Sequence, residues 1–262
     1  MKRTLLKALP DWVPAAFRPR LSDAAVYDSS CSPEARVLYV ERDGGCFLKC
    51  APAGTLKTEA EMNAYFHRLG LSAPVLYYGT EGERDVLLTA RVPGEDCTHG
   101  AYLAEPARLA TLLGERLRAL HDLPCDGCPI KDRTATYLVT VREGYRLGRF
   151  DPSFLPEEAK GMNMEESYQT VWKKRHFLQT DTLLHGDYCL PNVLLDDWRF
   201  SGFIDLGNGG VGDRHVDLFW GAWTLRFNLG TDAYKQRFFD AYGRDAIDRE
   251  RLLLVGIAEC FG

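Results

Sequence analysis

The chain has 262 residues, with 32 Lys plus Arg against 37 Asp plus Glu, a formal net charge of −5. Hydrophobic residues make up 45% and charged residues 26%, which excludes a largely disordered chain and leaves apolar material for a sizeable core. The mild acidity argues against a nucleic-acid partner, which needs a basic face, and leaves room for a small cationic one.

In chain order, the start is basic, but Lys7 interrupts its apolar run and Pro10 and Asp11 follow, so no signal peptide is expected there. No run of about 18 apolar residues exists anywhere, so no transmembrane helix is expected. The eight cysteines are scattered and read as mostly reduced thiols of a cytoplasmic protein. Cys125 and Cys128 are the one close pair, and a structural zinc site would need a second. Short strands are predicted over 24–27, 37–40 and 46–49, with Asp43-Gly44-Gly45 as a tight turn. A helix follows over 56–69, where Met62, Tyr65, Phe66 and Leu69 recur at helical spacing and Gly70 can end it. Strands return over 75–78 and 86–88.

After Val92-Pro93-Gly94 the texture changes to helices over 105–121, 134–147 and 164–178. A β-rich interlude spans 182–205, and helices over 216–227, 234–242 and 248–260 close the chain. The expected architecture is α+β: a β-rich lobe over 1–93, a mainly helical lobe over 94–262, and a ligand cleft between them.

The interlude carries the chemistry. His185-Gly186-Asp187 is followed by Asn192, directly before a strand over 193–195. Asp205 follows a second strand over 200–204, with Asp196-Asp197-Trp198-Arg199 as the turn. An antiparallel hairpin would place Asn192 beside Asp205. One carboxylate plus one amide oxygen is a good partial shell for Mg²⁺, with nucleotide phosphates and water completing it. Asp187 is then left to meet an incoming hydroxyl, as phosphoryl transfer requires. His185 reads as a brace of this loop. A phosphate-handling lysine is expected in the β-rich lobe. Lys49 ends a strand there, and the next helix carries Glu59 and Glu61, of which only one can face it. Gly207-Asn208-Gly209-Gly210-Val211-Gly212 satisfies G-x-G-x-x-G, but it follows a hairpin late in the chain with no parallel repeat around it. A flexible turn beside the metal site is expected there instead.

His185-Gly186-Asp187 through Asn192, with Ser201-Gly202-Phe203-Ile204-Asp205-Leu206-Gly207, closely resembles the aminoglycoside 3'-phosphotransferases, small-molecule kinases of protein-kinase-like fold. Leu87 to Gly94 resembles their hinge, and Leu117 to His121, Cys128-Pro129 and Asp213 to Asp217 also fit. Ser22 to Tyr27 is similar to their phosphate-covering hairpin. The resemblance implies that Asp187 is the catalytic base or hydroxyl-positioning group, and that Asn192 and Asp205 bind Mg²⁺. It implies that Lys49 contacts the phosphates of ATP or GTP and pairs with Glu59, that Ser22 touches phosphate and that Phe47 stacks on adenine. Ala90 and Val92 would offer backbone groups to the adenine edge.

A polycationic aminoglycoside needs an acidic site. Residues 151–170 hold Asp151, Glu157, Glu158, Glu165 and Glu166 against Lys160, and Glu157 and Glu158 match the family's substrate-covering loop. At the C-terminus Glu259 and Phe261 match its site-lining ending. Two positions depart from the pattern: Ala258 stands where an Asp is usual, and Asn208 where an Arg commonly follows. The expected reaction is transfer of the γ-phosphoryl to the 3'-hydroxyl of a kanamycin- or neomycin-like antibiotic. The alternatives are a kinase of another small alcohol, such as choline, a sugar or an amino alcohol, and a catalytically silent nucleotide-binding module. A two-metal phosphatase would need a carboxylate and His cluster that the sequence does not display.

Overall fold

In the computed structural model, which describes residues 3–31 and 35–262, the chain divides into two units. The first holds the residues up to Cys97 together with Pro191–Gly207, and the second Thr98–Leu190 with Asn208–Gly262. Met1 and Lys2 of the basic start lie outside the described residues. Among those described, no helix is long and apolar enough to cross a membrane.

The first unit is built on a six-stranded antiparallel sheet: β1 (Thr4–Leu5), β2 (Ala25–Asp28), β3 (Arg36–Glu41), β4 (Cys46–Pro52), β5 (Val75–Glu81) and β6 (Arg84–Ala90), in the order β1-β2-β3-β4-β6-β5. Strand alternation sorts β4 into two faces. Cys46, Leu48 and Cys50 turn to a core with Val13, Phe17, Leu21, Leu38 and Val86, under the short helix α1 (Arg18–Leu21). Phe47, Lys49 and Ala51 turn to the other face. There α2 (Lys57–Arg68) buries Glu59, Ala60, Met62, Asn63, Tyr65 and Phe66. Its entry is fixed by Asp85, fully buried, which accepts from the Leu56 amide (3.0 Å) and from the hydroxyls of Thr80 (2.8 Å) and Tyr78 (3.2 Å). Burial pushes the Asp85 carboxyl up, but these donors outweigh it and hold it below its ordinary range.

A three-stranded sheet completes this unit: β7 (Glu95–Asp96), β9 (Val193–Asp196) and β10 (Arg199–Phe203), in the order β10-β9-β7. β9 and β10 form the expected hairpin, with Phe203 opposite Val193 and a register shift between Phe200 and Gly202. Gly94 leads into it with φ +86, and a Cβ there would lie 2.1 Å from the Leu195 carbonyl oxygen, so only glycine fits.

The second unit is mainly helical: α3 (Gly100–Leu103), α4 (Pro106–His121), α5 (Arg133–Arg146), α6 (Met164–Lys174), α7 (His215–Leu229), α8 (Lys235–Tyr242) and α9 (Arg249–Glu259). α6 starts with a capping box between Asn163 and Glu166. Its core gathers Val141, Val171, Leu184, Val255, Ile257 and Phe261. One two-stranded sheet joins β8 (Thr182–Leu184) to β11 (Gly210–Gly212). This corrects the expectation of a flexible turn over 207–212. Residues 206–208 make one 3₁₀ turn, and 210–212 form a strand with Val211 opposite Leu183. Small residues suit this strand because Ile130, Leu184 and Arg133 crowd it.

Candidate active site

Within the first unit, the far face of β4 opens on a cavity of about 570 Å³. Its walls are mostly apolar: Val37, Phe47, Leu87, Val92, Leu194 and Phe203. Its polar end carries Lys49, Glu59 and Asp205. The Lys49 ammonium donates to Glu59 Oε2 and to Asp205 Oδ1, each at 2.8 Å. Burial works against charge on Lys49, but the two carboxylates outweigh it and hold the ammonium above its ordinary range. Burial pushes the Glu59 carboxyl up against the pull of Lys49. Glu61, the other helical acid, pairs instead with Lys57 on the surface (3.8 Å). A slot with apolar walls and a polar end that carries an ammonium suits a flat base with a phosphate tail.

Asp205 sits two residues past β10 with φ +57, the left-handed region that Asp tolerates better than most side chains. Its carboxylate is half exposed (52%), whereas that of Glu59 is largely covered (10%). Asn192 ends the turn before β9 and is buried. Its carbonyl accepts from the Ile204 amide at 3.1 Å, which ties the chain at Asn192 to the residue before Asp205. An amide oxygen and a carboxylate on neighbouring chain segments form a hard-oxygen donor set of the kind Mg²⁺ takes when nucleotide phosphates supply the remainder. Among the described residues no group of three or more His, Cys, Asp or Glu could hold a metal ion.

Phe47 lines this cavity while its ring packs on Tyr39 at 5.2 Å. Ala90 and Val92 also line it, but the Ala90 amide already donates to the Pro74 carbonyl (3.0 Å) and is no donor for a base. Ser22 is not brought there. It is exposed just after α1, and its hydroxyl donates to the Pro19 carbonyl (3.1 Å). The wall on that side comes from Ser29, Cys31 and Ala35, which belong to the β2–β3 connection.

The second unit holds its own cavity, of about 300 Å³, lined by Asp187, Glu259, Arg133, Tyr137, Asn208 and Trp220 among others. The loop bearing Asp187 is clamped by Asp217 of α7, fully buried, whose two oxygens accept from the His185 amide and the Gly186 amide at 2.7 Å each. Asp217 also pairs with His121 Nε2 (3.2 Å), and His121 Nδ1 meets the Tyr242 hydroxyl (2.8 Å). Burial lowers the pKa of His121 despite Asp217, which favours the neutral ring. The consistent tautomer has Nε2–H donating to Asp217 and Tyr242 O–H donating to Nδ1. His185 is the expected brace: its Nδ1 accepts from the Asp187 amide at 3.3 Å. Gly186 needs φ +83, and a Cβ there would lie 1.8 Å from the Asn208 carbonyl oxygen. Asp217 was legible only as part of a resembling string, because its partners lie 31 and 32 residues upstream.

Glu259 is buried and its carboxyl is pushed up to about 7, by burial first and then by the nearby Asp187 charge, against the pull of Tyr137 and Trp220. Phe261 is not a wall of this cavity. It is fully buried against Tyr145, Phe150 and Tyr168, where it anchors the chain end that carries Glu259. Glu157 and Glu158 are exposed on a 3₁₀ turn outside the cavity, and Glu157 pairs with Lys160. The wall's third acid, Asp213, is already committed. His215 Nδ1 lies 2.6 Å from it and the Gln179 amide 2.8 Å.

The model of the phosphotransferase enzyme family matches residues 33–254. The chain is 48% identical over 249 residues to a probable aminoglycoside 3'-phosphotransferase of Lactococcus lactis subsp. lactis (strain IL1403), covering 95% of each. It is 32% identical over 209 residues to an aminoglycoside 3'-phosphotransferase of Niallia circulans, covering 79% of each. Among solved structures, an aminoglycoside 3'-phosphotransferase of type VIII, 28% identical, matches with a TM-score of 0.75 over 94% of this chain and 97% of that one. An aminoglycoside phosphotransferase of Streptomyces rimosus, solved with ADP and streptomycin, is 26% identical with a TM-score of 0.71, covering 86% of this chain and 90% of that one.

Proposed function

Since the chain belongs to the phosphotransferase enzyme family, we propose a division of labour within it: the first unit holds the nucleotide and the second presents the acceptor hydroxyl. The protein is an ATP-dependent aminoglycoside phosphotransferase, a resistance enzyme with the kinase-like fold of its relatives. The hydroxyl we assign is the 3'-hydroxyl of kanamycin- and neomycin-type antibiotics. The observation that carries the division is the Lys49 ammonium held between Glu59 and Asp205 at the polar end of an apolar cavity. It supports a reading of that cavity as the nucleotide site.

In this reading the base lies between Phe47 and Val92, and Lys49 neutralises phosphate charge. Glu59, buried and fixed on α2, keeps the ammonium aimed when Asp205 turns to a metal. Asn192 and Asp205 would hold Mg²⁺, which neutralises phosphate charge when bound. GTP fits the same account, because the assigned contacts are to phosphate and to a flat base. The phosphate-facing role passes from Ser22 to the Ser29–Cys31 side of the β2–β3 connection.

In the second unit Asp187 accepts a hydrogen bond from the attacking hydroxyl and orients it. A new P–O bond forms to the acceptor oxygen. The bond to the bridging oxygen breaks, and the nucleoside diphosphate leaves with the electron pair. The hydroxyl proton passes to the Asp187 carboxylate. Positioning of the hydroxyl supplies most of the gain in a loose transition state. Glu259 draws an ammonium group of the acceptor. The test is product analysis with kanamycin and with tobramycin, which lacks a 3'-hydroxyl. Phosphorylation of kanamycin alone is expected. Equal turnover of both would move the reactive hydroxyl elsewhere.

A further inference from the structure

The acceptor cavity contains a cation that a polycationic substrate does not call for. Arg133 opens α5, directly after its N-cap Asp132, and its side chain forms part of the wall with Asp187, Gly186 and Asn208. Its guanidinium Nη2 donates to Asn208 Oδ1. Among the described residues Arg133 has no ion pair with a carboxylate, although Asp187 and Glu259 line the same cavity. Arginine keeps its proton at any working pH, so this charge is fixed.

A fixed guanidinium repels the ammonium groups of an acceptor. One other charge must enter the same cavity during turnover: the phosphoryl group, whose peripheral oxygens stay negative as it moves from the bridging oxygen to the acceptor oxygen. A guanidinium fork matches such oxygens better than any other side chain. Asn208 takes one N–H and leaves the rest of the fork for a ligand.

We propose that Arg133 is a catalytic residue that meets the phosphoryl group as it arrives on the acceptor, aimed by Asn208. This rests on reading the second cavity as the acceptor site. Arginines in that role raise kcat by about 10³-fold or more.

The experiment is steady-state kinetics of Arg133→Ala, Arg133→Lys and Asn208→Ala with ATP and kanamycin, with and without added guanidinium ion, on protein shown folded by circular dichroism. Arg133→Ala is expected to lower kcat on the order of a thousandfold while the kanamycin KM stays level or falls, because a repulsive charge is gone. Guanidinium should restore activity at least tenfold, Arg133→Lys should be intermediate, and Asn208→Ala should lose several-fold in kcat. If Arg133→Ala does not fold, Arg133→Lys and Asn208→Ala decide by the same split between kcat and KM. A kcat within threefold of the parent in the decisive variants overturns the proposal, as does a loss confined to KM. A fall in kcat that neither guanidinium nor Lys softens makes Arg133 a brace and overturns it too. Glu259→Gln, measured alongside, separates the two readings: an unchanged kanamycin KM there refutes the acceptor cavity itself.

Discussion

The two cavities reach opposite electrostatic solutions. In the first, one cation, Lys49, is pinned by two carboxylates, so every charge at the polar end has a partner before any ligand arrives. In the second, Glu259 is buried with one oxygen unpartnered, and the Arg133 guanidinium donates to an amide oxygen and pairs with no carboxylate among the described residues. The lesson is that a site which must receive a highly charged, metal-bound phosphate chain can be held in register by its own ion pairs. A site which must receive ammonium groups keeps its acid unpaired at some cost in stability, because a paired acid has little left to offer.

The comparison breaks most visibly at Asp187. Asp187→Asn is expected to lower turnover roughly 10³-fold while ADP binding, measured by calorimetry, is unchanged. Next in size is Lys49→Met. It should weaken nucleotide binding on the order of 10- to 100-fold and leave Glu59 buried without its partner, so the melting temperature should fall as well.

Glu259→Gln sharpens the contrast through pH. Burial raises this carboxyl from 4.5 to about 7, so the folded state holds its proton where the unfolded chain has lost it. The stability linked to this group is complete below about pH 4.5 and is lost as pH rises through about 7, a cost of roughly 3 kcal/mol once ionised. The Gln variant should therefore melt higher than the parent at pH 8 and equally at pH 4. The kanamycin KM of the parent should fall about tenfold between pH 6 and 8, and that of the variant should stay flat. A parent KM independent of pH would contradict the assignment. The smallest effect is expected at Glu157→Gln and Glu158→Gln. Both acids are exposed and outside the cavity, so each should change KM by less than about twofold.

Much of the first cavity could be read from sequence because its geometry is local. Alternation along β4 puts Phe47 and Lys49 on one face, and a helix that follows it offers Glu59 and Glu61 as partners. Spacing alone left those two acids open. Burial decides between them, since Glu59 lies against the sheet and Glu61 in solvent. The β9–β10 hairpin was equally legible from two apolar runs and a turn. The second cavity was less so. Counting charge over 151–170 found real acids, but local sequence does not say which acids face a cavity. Asp217 and Asp85 act through hydrogen bonds to distant segments, which no periodicity reveals. Gly210–Gly212 looked like a loop because its glycines follow from crowding by Ile130, Leu184 and Arg133. Ser22 came from the resemblance of Ser22 to Tyr27 to the family's phosphate-covering hairpin, and where β2 begins and ends leaves it outside the cavity while Ser29 lines it.

The measurement that tests the division of labour most directly is equilibrium binding of each ligand alone to Lys49→Met and Glu259→Gln. With a non-hydrolysable ATP analogue plus Mg²⁺ in one titration and kanamycin in the other, Lys49→Met should lose the nucleotide and keep kanamycin, and Glu259→Gln should do the reverse. If either variant weakens both ligands equally, or if the losses are exchanged, the assignment of one cavity to each substrate is wrong.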